Sequence, residues 1–122
     1  MKLTELKPMI WTEDLASTVE FYTTTLGFKC DNIIEELGWA SLSKDSVSLM
    51  LRRPDANTEY DKPIFTGSFY FGTDDVDGLW NELKDKASVC YGIENFNYGM
   101  REFAIYDNNG YLLQFGQPVD EL

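Results

Sequence analysis

The 122-residue chain contains no histidine. It therefore lacks the side chain that titrates nearest neutral pH, which is also the commonest general base and the commonest nitrogen ligand for a metal ion. Cysteine is scarce too: Cys30 and Cys90 are far apart and form no C-x-x-C motif. Redox and zinc-binding chemistry find no support there, and reduced, inert thiols are expected. No run approaches the ~18 apolar residues that a membrane span needs, and no charged head, apolar stretch and small-residue cleavage site opens the chain. A cytoplasmic location without membrane partners is the expectation. Basic residues are few, 10 Lys and Arg against 21 Asp and Glu, giving a formal net charge of −11. Without a basic cluster or an aromatic-plus-arginine run, the chain would repel nucleic acid. No Gly-x-Ser-x-Gly elbow or glycine-rich phosphate loop occurs, and Ser48 and Ser68 have no histidine to activate them, so nucleophilic catalysis is unsupported.

The 43% hydrophobic and 15% aromatic content fits one soluble globular domain over residues 1–122. Within it, "WTEDL" at Trp11 to Leu15 is echoed half a chain length later by "GTDDV" at Gly72 to Val76. An echo at that spacing points to two copies of one unit. Thr4 to Trp11 reads as a strand. Asp14 then caps a helix with a stripe of Leu15, Val19, Tyr22 and Leu26, ended by Gly27. Strands follow over Phe28 to Glu35, Trp39 to Ser43 and Val47 to Arg52, with Leu37-Gly38 and Lys44-Asp45 as turns. After a polar linker containing "RPDANTEYDKP" the order returns. Ser68 to Gly72 is a strand, and Asp75 caps a helix carrying Val76, Leu79, Trp80 and Leu83. Strands then cover Val89 to Phe96, Met100 to Tyr106 and Tyr111 to Gly116, with "DNNG" as a tight turn. Module 1 spans about 4–52, the linker 53–66 and module 2 about 67–118.

Strand alternation sorts the residues into two faces. Ile10, Phe69, Phe71, Leu49, Leu51, Leu113 and Phe115 would face the helices. Lys7, Met9, Trp11, Ser68, Tyr70, Ser48, Met50, Arg52, Leu112, Gln114 and Gly116 would face the other way. The first set is almost wholly apolar, and the second mixes polar and aromatic groups as ligand pockets do. The acidity suits solubility, and it also suits attraction of a cationic ligand.

"DLASTVEFYTTTLGF" resembles the first-helix motif of the vicinal oxygen chelate superfamily, the glyoxalase, bleomycin-resistance and extradiol dioxygenase group. "YGMREFAIYDNNGYLLQFG", Tyr98 to Gly116, is similar to its closing hairpin, most closely that of bleomycin-resistance proteins. The resemblance covers about residues 4 to 118. It implies an α+β fold of two βαβββ modules that form a cupped eight-stranded mixed sheet with helices on the outer face, assembled as a homodimer. It also implies four metal-ligand places in the family's enzymes, which fall here on Lys7, Met50, Ser68 and Gln114. Three of these four cannot serve, and a lone amide oxygen beside an ammonium and a thioether is a poor divalent site. No metal and no other cofactor is expected.

By the same resemblance Tyr70 and Tyr98 lie where relatives carry pocket aromatics, and Trp39 on the third strand would add another face. Core or dimer-interface packing is the alternative for both tyrosines. Trp11 and Trp80 read as core, and Asp14, Asp74 and Asp75 as helix caps. Glu102 would hold a ligand cation or act as a base, or else pair with Arg101 or Arg52, because a half-buried carboxylate needs a partner. Lys7 and Arg52 read more readily as charge partners than as ligand contacts. The candidate ligand-binding set is thus Trp39, Met50, Arg52, Ser68, Tyr70, Tyr98, Glu102 and Gln114. The expected function is non-catalytic capture of a small cationic aromatic molecule, as bleomycin-resistance proteins do with their drug. The alternatives are a glyoxalase-like lyase or isomerase with an atypical or absent metal site, and a dimeric scaffold whose cup is filled by its own side chains.

Overall fold

A computed structural model describes residues 1–64 and 67–122; the end of the expected linker, residues 65 and 66, lies outside them. The chain divides into two compact units, Met1–Asp61 and Lys62–Leu122. Each unit is a βαβββ module with a four-stranded mixed sheet.

In the first unit, β1 (Met9–Trp11) leads to α1 (Leu15–Glu20), followed by β2 (Lys29–Ile34), β3 (Trp39–Lys44) and β4 (Val47–Arg52). The sheet order is β1-β4-β3-β2, with β1 parallel to β4 and the other pairs antiparallel. Asp14 caps α1 by accepting from the Ser17 N–H at 3.0 Å. Leu15, Tyr22 and Leu26 are buried with Ile10, Ala40, Leu42, Leu49 and Leu51. The expected stripe differs at one position, since Thr18 is fully buried and Val19 only half-buried. The Thr18 hydroxyl bonds the Asp14 carbonyl and the buried Thr12 hydroxyl, both at 2.8 Å, so its polarity is satisfied inside.

Two expected elements of this unit are shorter or altered. Residues 4–8 are not strand: pairing with β4 starts at Met9 opposite Met50, and Pro8 has no N–H to give, although its carbonyl accepts from the Met50 N–H at 2.8 Å. The first helix does not run unbroken to Leu26; residues Phe21–Thr25 form a wider π turn. Three consecutive threonines are weak helix formers, and the Thr23 hydroxyl bonds the Val19 carbonyl at 2.8 Å. Gly27, at φ 77°, then reverses the chain into β2.

The second unit repeats the plan with β5 (Phe69–Gly72), α2 (Val76–Leu83), β6 (Ser88–Asn95), β7 (Met100–Tyr106) and β8 (Leu112–Pro118), in the sheet order β5-β8-β7-β6. β8 runs two residues beyond the expected end because Met100 and Arg101 of β7 pair with Pro118 and Gln117. The Asp75 carboxylate caps α2 through the Gly78 N–H at 3.0 Å. On the helix side a row of rings, Phe71, Phe115, Phe103 and Trp80, is spaced 5.1, 5.2 and 5.3 Å between successive centroids. Phe103 and Phe115 are buried in it, and with Val76, Leu83, Ile105 and Leu113 they form this unit's apolar core. In the DNNG turn, the Asp107 carboxylate accepts from the N–H groups of Asn109, Gly110 and Tyr111 at 2.8 to 2.9 Å. Among the described residues no helix is long and apolar enough to cross a membrane.

Candidate functional site

The face of the second sheet that lies opposite the phenylalanine row carries a polar cluster. Strand register explains its composition. Tyr91 of β6 stands opposite Ala104 of β7, Ala104 opposite Gln114 of β8, and Gln114 opposite Tyr70 of β5. These four residues form one row across all four strands, and side chains in such a row share a face. The next row is Glu94, Glu102, Gly116 and Gly72. Two of its four members are glycine, so large neighbours can lean over it. The small Ala104 lets Gln114 and Tyr91 meet, and the bare Gly116 lets Tyr70 reach Glu102.

Three tyrosines converge on Glu102. The Tyr70 hydroxyl donates to Oε1 at 3.3 Å, the Tyr98 hydroxyl donates to the same oxygen, and the Tyr91 hydroxyl donates to Oε2. Tyr91 in turn accepts from the Gln114 amide at 2.9 Å, and the Gln114 carbonyl accepts from the Ser68 hydroxyl. The result is a directed chain, Ser68 to Gln114 to Tyr91 to Glu102. A carboxylate only accepts, so three hydroxyl donors match its chemistry.

Burial is distributed unevenly across the cluster. Glu102 has 0% exposure, whereas Tyr70 and Tyr98 are 45% and 60% exposed. A desolvated carboxylate thus lies beneath two tyrosines that are themselves partly exposed. Phe96 extends that surface, stacked on Tyr98 at 5.5 Å and edge-on to Tyr91 at 5.6 Å.

The cluster also raises the phenol pKa values. Tyr98 is pushed up to about 12, chiefly by the hydrogen bond it donates to Glu102. Tyr91 is raised by burial first and then by its bond to Glu102, against a smaller lowering by Gln114. Tyr70 is raised by burial and then by the Glu102 charge. All three therefore act as donors near neutral pH, and none is a general base there.

Of the alternatives open for Glu102, pairing with Arg101 does not occur. Arg101 leaves the strand on the other side and binds Asp77 at 2.8 Å and Asn95 at 3.0 Å. Arg52 belongs to the first unit and pairs with Asp55 at 3.2 Å. Among the described residues Glu102 has no ion pair, and phenols take the place of the cation. Tyr70 and Tyr98 are not core aromatics, as their exposure shows. Neither tryptophan expected in the core is fully buried: Trp80 is half-buried and packs on Phe103 at 5.3 Å, and Trp11 is half-buried and lies edge-on to Tyr60 at 5.8 Å.

Of the eight candidate residues, the structure gathers five in the second unit: Ser68, Tyr70, Tyr98, Glu102 and Gln114. Trp39, Met50 and Arg52 belong to the first unit, where Trp39 stands opposite Arg52 across β3 and β4. Sequence reasoning missed Tyr91. Its strand carries register shifts on both sides of it, between Val89 and Tyr91 and between Tyr91 and Glu94. Simple alternation cannot place a residue flanked by bulges.

The sequence profile of the Glyoxalase/Bleomycin resistance protein/Dioxygenase superfamily matches residues 6–115, and the chain belongs to that superfamily. Comparison with curated proteins returns no match. Several solved structures share the fold. A protein of unknown function from Agrobacterium tumefaciens str. C58 superposes with a TM-score of 0.79 at 17% identity, covering 96% of this chain and 95% of that one. A glyoxalase/bleomycin resistance protein/dioxygenase from Alicyclobacillus acidocaldarius gives 0.77 at 18% identity, covering 95% and 92%. A lactoylglutathione lyase from Agrobacterium tumefaciens gives 0.70 at 17% identity, covering 93% and 92%.

The four places that the superfamily resemblance assigns to metal ligands do not fit a divalent ion in this chain. Lys7 is a cation paired with Glu5 at 3.8 Å, and Met50 offers only a thioether. Ser68 and Gln114 are bonded to each other, and the Gln114 amide is further committed to Tyr91. Among the described residues no group of three or more Cys, Asp or Glu side chains is placed to hold a metal ion.

Proposed function

We propose that the second unit binds a small cationic aromatic molecule against the exposed rings of Tyr70 and Tyr98, and that it does so by stoichiometric capture without chemical change. The observation that carries this reading is the fully buried Glu102 carboxylate, which has three phenol donors and, among the described residues, no cationic partner, beneath partly exposed tyrosines. A phenol that donates to an anion is polarised so that its ring face becomes more negative, and such a face attracts cations. Two ring contacts supply roughly 1 to 4 kcal/mol, up to about three orders of magnitude in affinity. The −11 net charge would speed encounter with a cation. We propose Ser68, Tyr70, Tyr91, Tyr98, Glu102 and Gln114 as the binding residues, working in a cytoplasmic homodimer.

The lyase or isomerase alternative has less to draw on, because a proton-abstracting base must reach the substrate. Glu102 has no exposed surface and both its oxygens are engaged, while the phenols are protonated near neutral pH. The scaffold alternative is disfavoured by the partial exposure of Tyr70 and Tyr98.

Calorimetric titration with bleomycin-type glycopeptides and simpler cationic aromatics tests the proposal. One saturable site per chain is expected, with ligand recovered unchanged and Glu102→Gln weakening the binding about tenfold or more through loss of the buried charge. Recovery of a converted ligand would overturn the non-catalytic reading. Equal affinity of the wild type and Glu102→Gln would overturn the site.

A further inference from the structure

We infer that the first unit carries a binding site of its own for a planar aromatic carboxylate, with the anion held by Arg52 and the ring lying on Trp39. This site shares no residue with the tyrosine cluster of the second unit. Cross-strand register carries the inference. Ile34, Trp39, Arg52 and Trp11 form one row across all four strands of the first sheet. Their neighbours Ile10, Ala40 and Leu51 are buried on the helix side, so the row lies on the opposite face, where its four members are half-buried. In the second unit the row at the same place in the repeat, the last pair of the parallel strands, is Glu94, Glu102, Gly116 and Gly72. The two copies thus carry opposite charges in one register row, carboxylates in the second and a guanidinium in the first.

Little of the Arg52 guanidinium is in use. Its Nη2 donates to Asp55 at 3.2 Å, and among the described residues Nε and Nη1 have no acceptor. Asp55 is exposed, so that pair contributes little and a ligand can displace it. A carboxylate that meets the guanidinium fork with both oxygens makes two charge-assisted bonds in place of one. The adjacent Arg53 is not available, because Glu35 holds it. One guanidinium matches a monoanion; a phosphate dianion would bring a second charge into a chain of net charge −11 with nothing to meet it. Trp39 supplies the ring surface. Among the described residues its indole has no ring contact and no side-chain hydrogen bond, whereas Trp11 is engaged by Tyr60. Trp39 and Arg52 are one strand spacing apart, about 4.8 Å, which an arylcarboxylate spans with its ring on the indole and its oxygens on the fork. Met50, two residues before Arg52 on the same face, adds an apolar contact.

Calorimetric titration of the intact chain with naphthoate, naphthamide and acetate tests the site. One naphthoate per chain is expected, bound about tenfold or more tightly than the uncharged amide and than acetate, which lacks the ring. Arg52→Gln should bring naphthoate down to the affinity of the amide, and Arg52→Lys should recover only part, because an ammonium does not match both oxygens. Trp39→Leu should weaken naphthoate about threefold or more, and Trp39→Phe, which keeps a ring, should lose less; circular dichroism verifies the fold of each variant. Asp55→Asn should tighten naphthoate by a factor of about 1.5 to 5, since it removes the competing carboxylate. Naphthamide binding as tightly as naphthoate, naphthoate affinity untouched by Arg52→Gln, a fall in affinity with Asp55→Asn, or no naphthoate binding at all overturns the inference. The tyrosine site stands or falls separately, with cationic probes and Glu102→Gln.

Discussion

The ring of Tyr70 lies across Gly116, so closely that a β-carbon added to the glycine would stand 1.8 Å from the Tyr70 hydroxyl oxygen. Gly116 stands opposite Glu102 on the neighbouring strand. Only a residue without a side chain leaves the path by which the tyrosine reaches the carboxylate. Tyr70 is thus held by an absence on β8 as much as by the bond it makes.

Gly116→Ala should therefore swing Tyr70 into solvent and break its bond to Glu102. One ring contact is lost, so affinity for a cationic aromatic probe should fall by a factor of roughly 2 to 30. In a Tyr70→Ala background the same substitution should leave affinity nearly unchanged. Paired titrations of the four proteins measure this coupling, and additive effects would show that the glycine acts elsewhere.

Alkaline pH should weaken the fold through the same cluster. Folding raises the phenol pKa values of Tyr70, Tyr91 and Tyr98 above the ordinary 10.0, in the case of Tyr98 to about 12. A group held protonated by folding contributes stability that is fully present below its unfolded pKa and lost as pH rises through its folded one. Stability should hold up to about pH 10 and decline between about 10 and 12. Urea denaturation across that range, with phenolate absorbance followed in parallel, measures the decline. Tyr98→Phe should make the slope shallower and remove one late-ionising phenol.

Gln117 fastens the start of α2 to the end of β8. Its carbonyl accepts from the buried Val76 N–H at 3.1 Å, and its amide donates to the Asp74 carbonyl at 2.9 Å. Gln117→Leu leaves the Val76 N–H without its acceptor and should cost about 1 to 3 kcal/mol in urea unfolding. Gln117→Glu keeps an acceptor for Val76 and should lose less. Probe affinity should change little in either, because Gln117 faces the helix and not the tyrosines.

The module plan was legible because it rests on local signals. The paired caps at Asp14 and Asp75, the reversing Gly27, the DNNG turn and the period-two alternation of β4, β5 and β8 each depend on a few neighbouring residues. The ends of elements were less legible, since β1 starts only after Pro8, which has no N–H to give, and β8 continues as far as β7 pairs with it. In the candidate site, Tyr70, Tyr98, Glu102 and Gln114 were visible through alternation and resemblance. Tyr91 was hidden by two bulges, and the phenol donors of Glu102 were not among the alternatives considered for it.

The amino-acid sequence by itself determined that the chain repeats a βαβββ unit, lacks histidine and carries a mixed face of aromatic and polar residues opposite an apolar one. Only the tertiary structure decided what Glu102 binds. Its neighbours in sequence suggest arginine, but Arg101 points to the opposite face, and cross-strand register brings three phenols from β5, β6 and the hairpin before β7 to one carboxylate. Alternation and capping are short-range and written residue by residue. Which donors satisfy a buried charge depends on strand pairing between distant segments, and that geometry exists only once the sheet has formed.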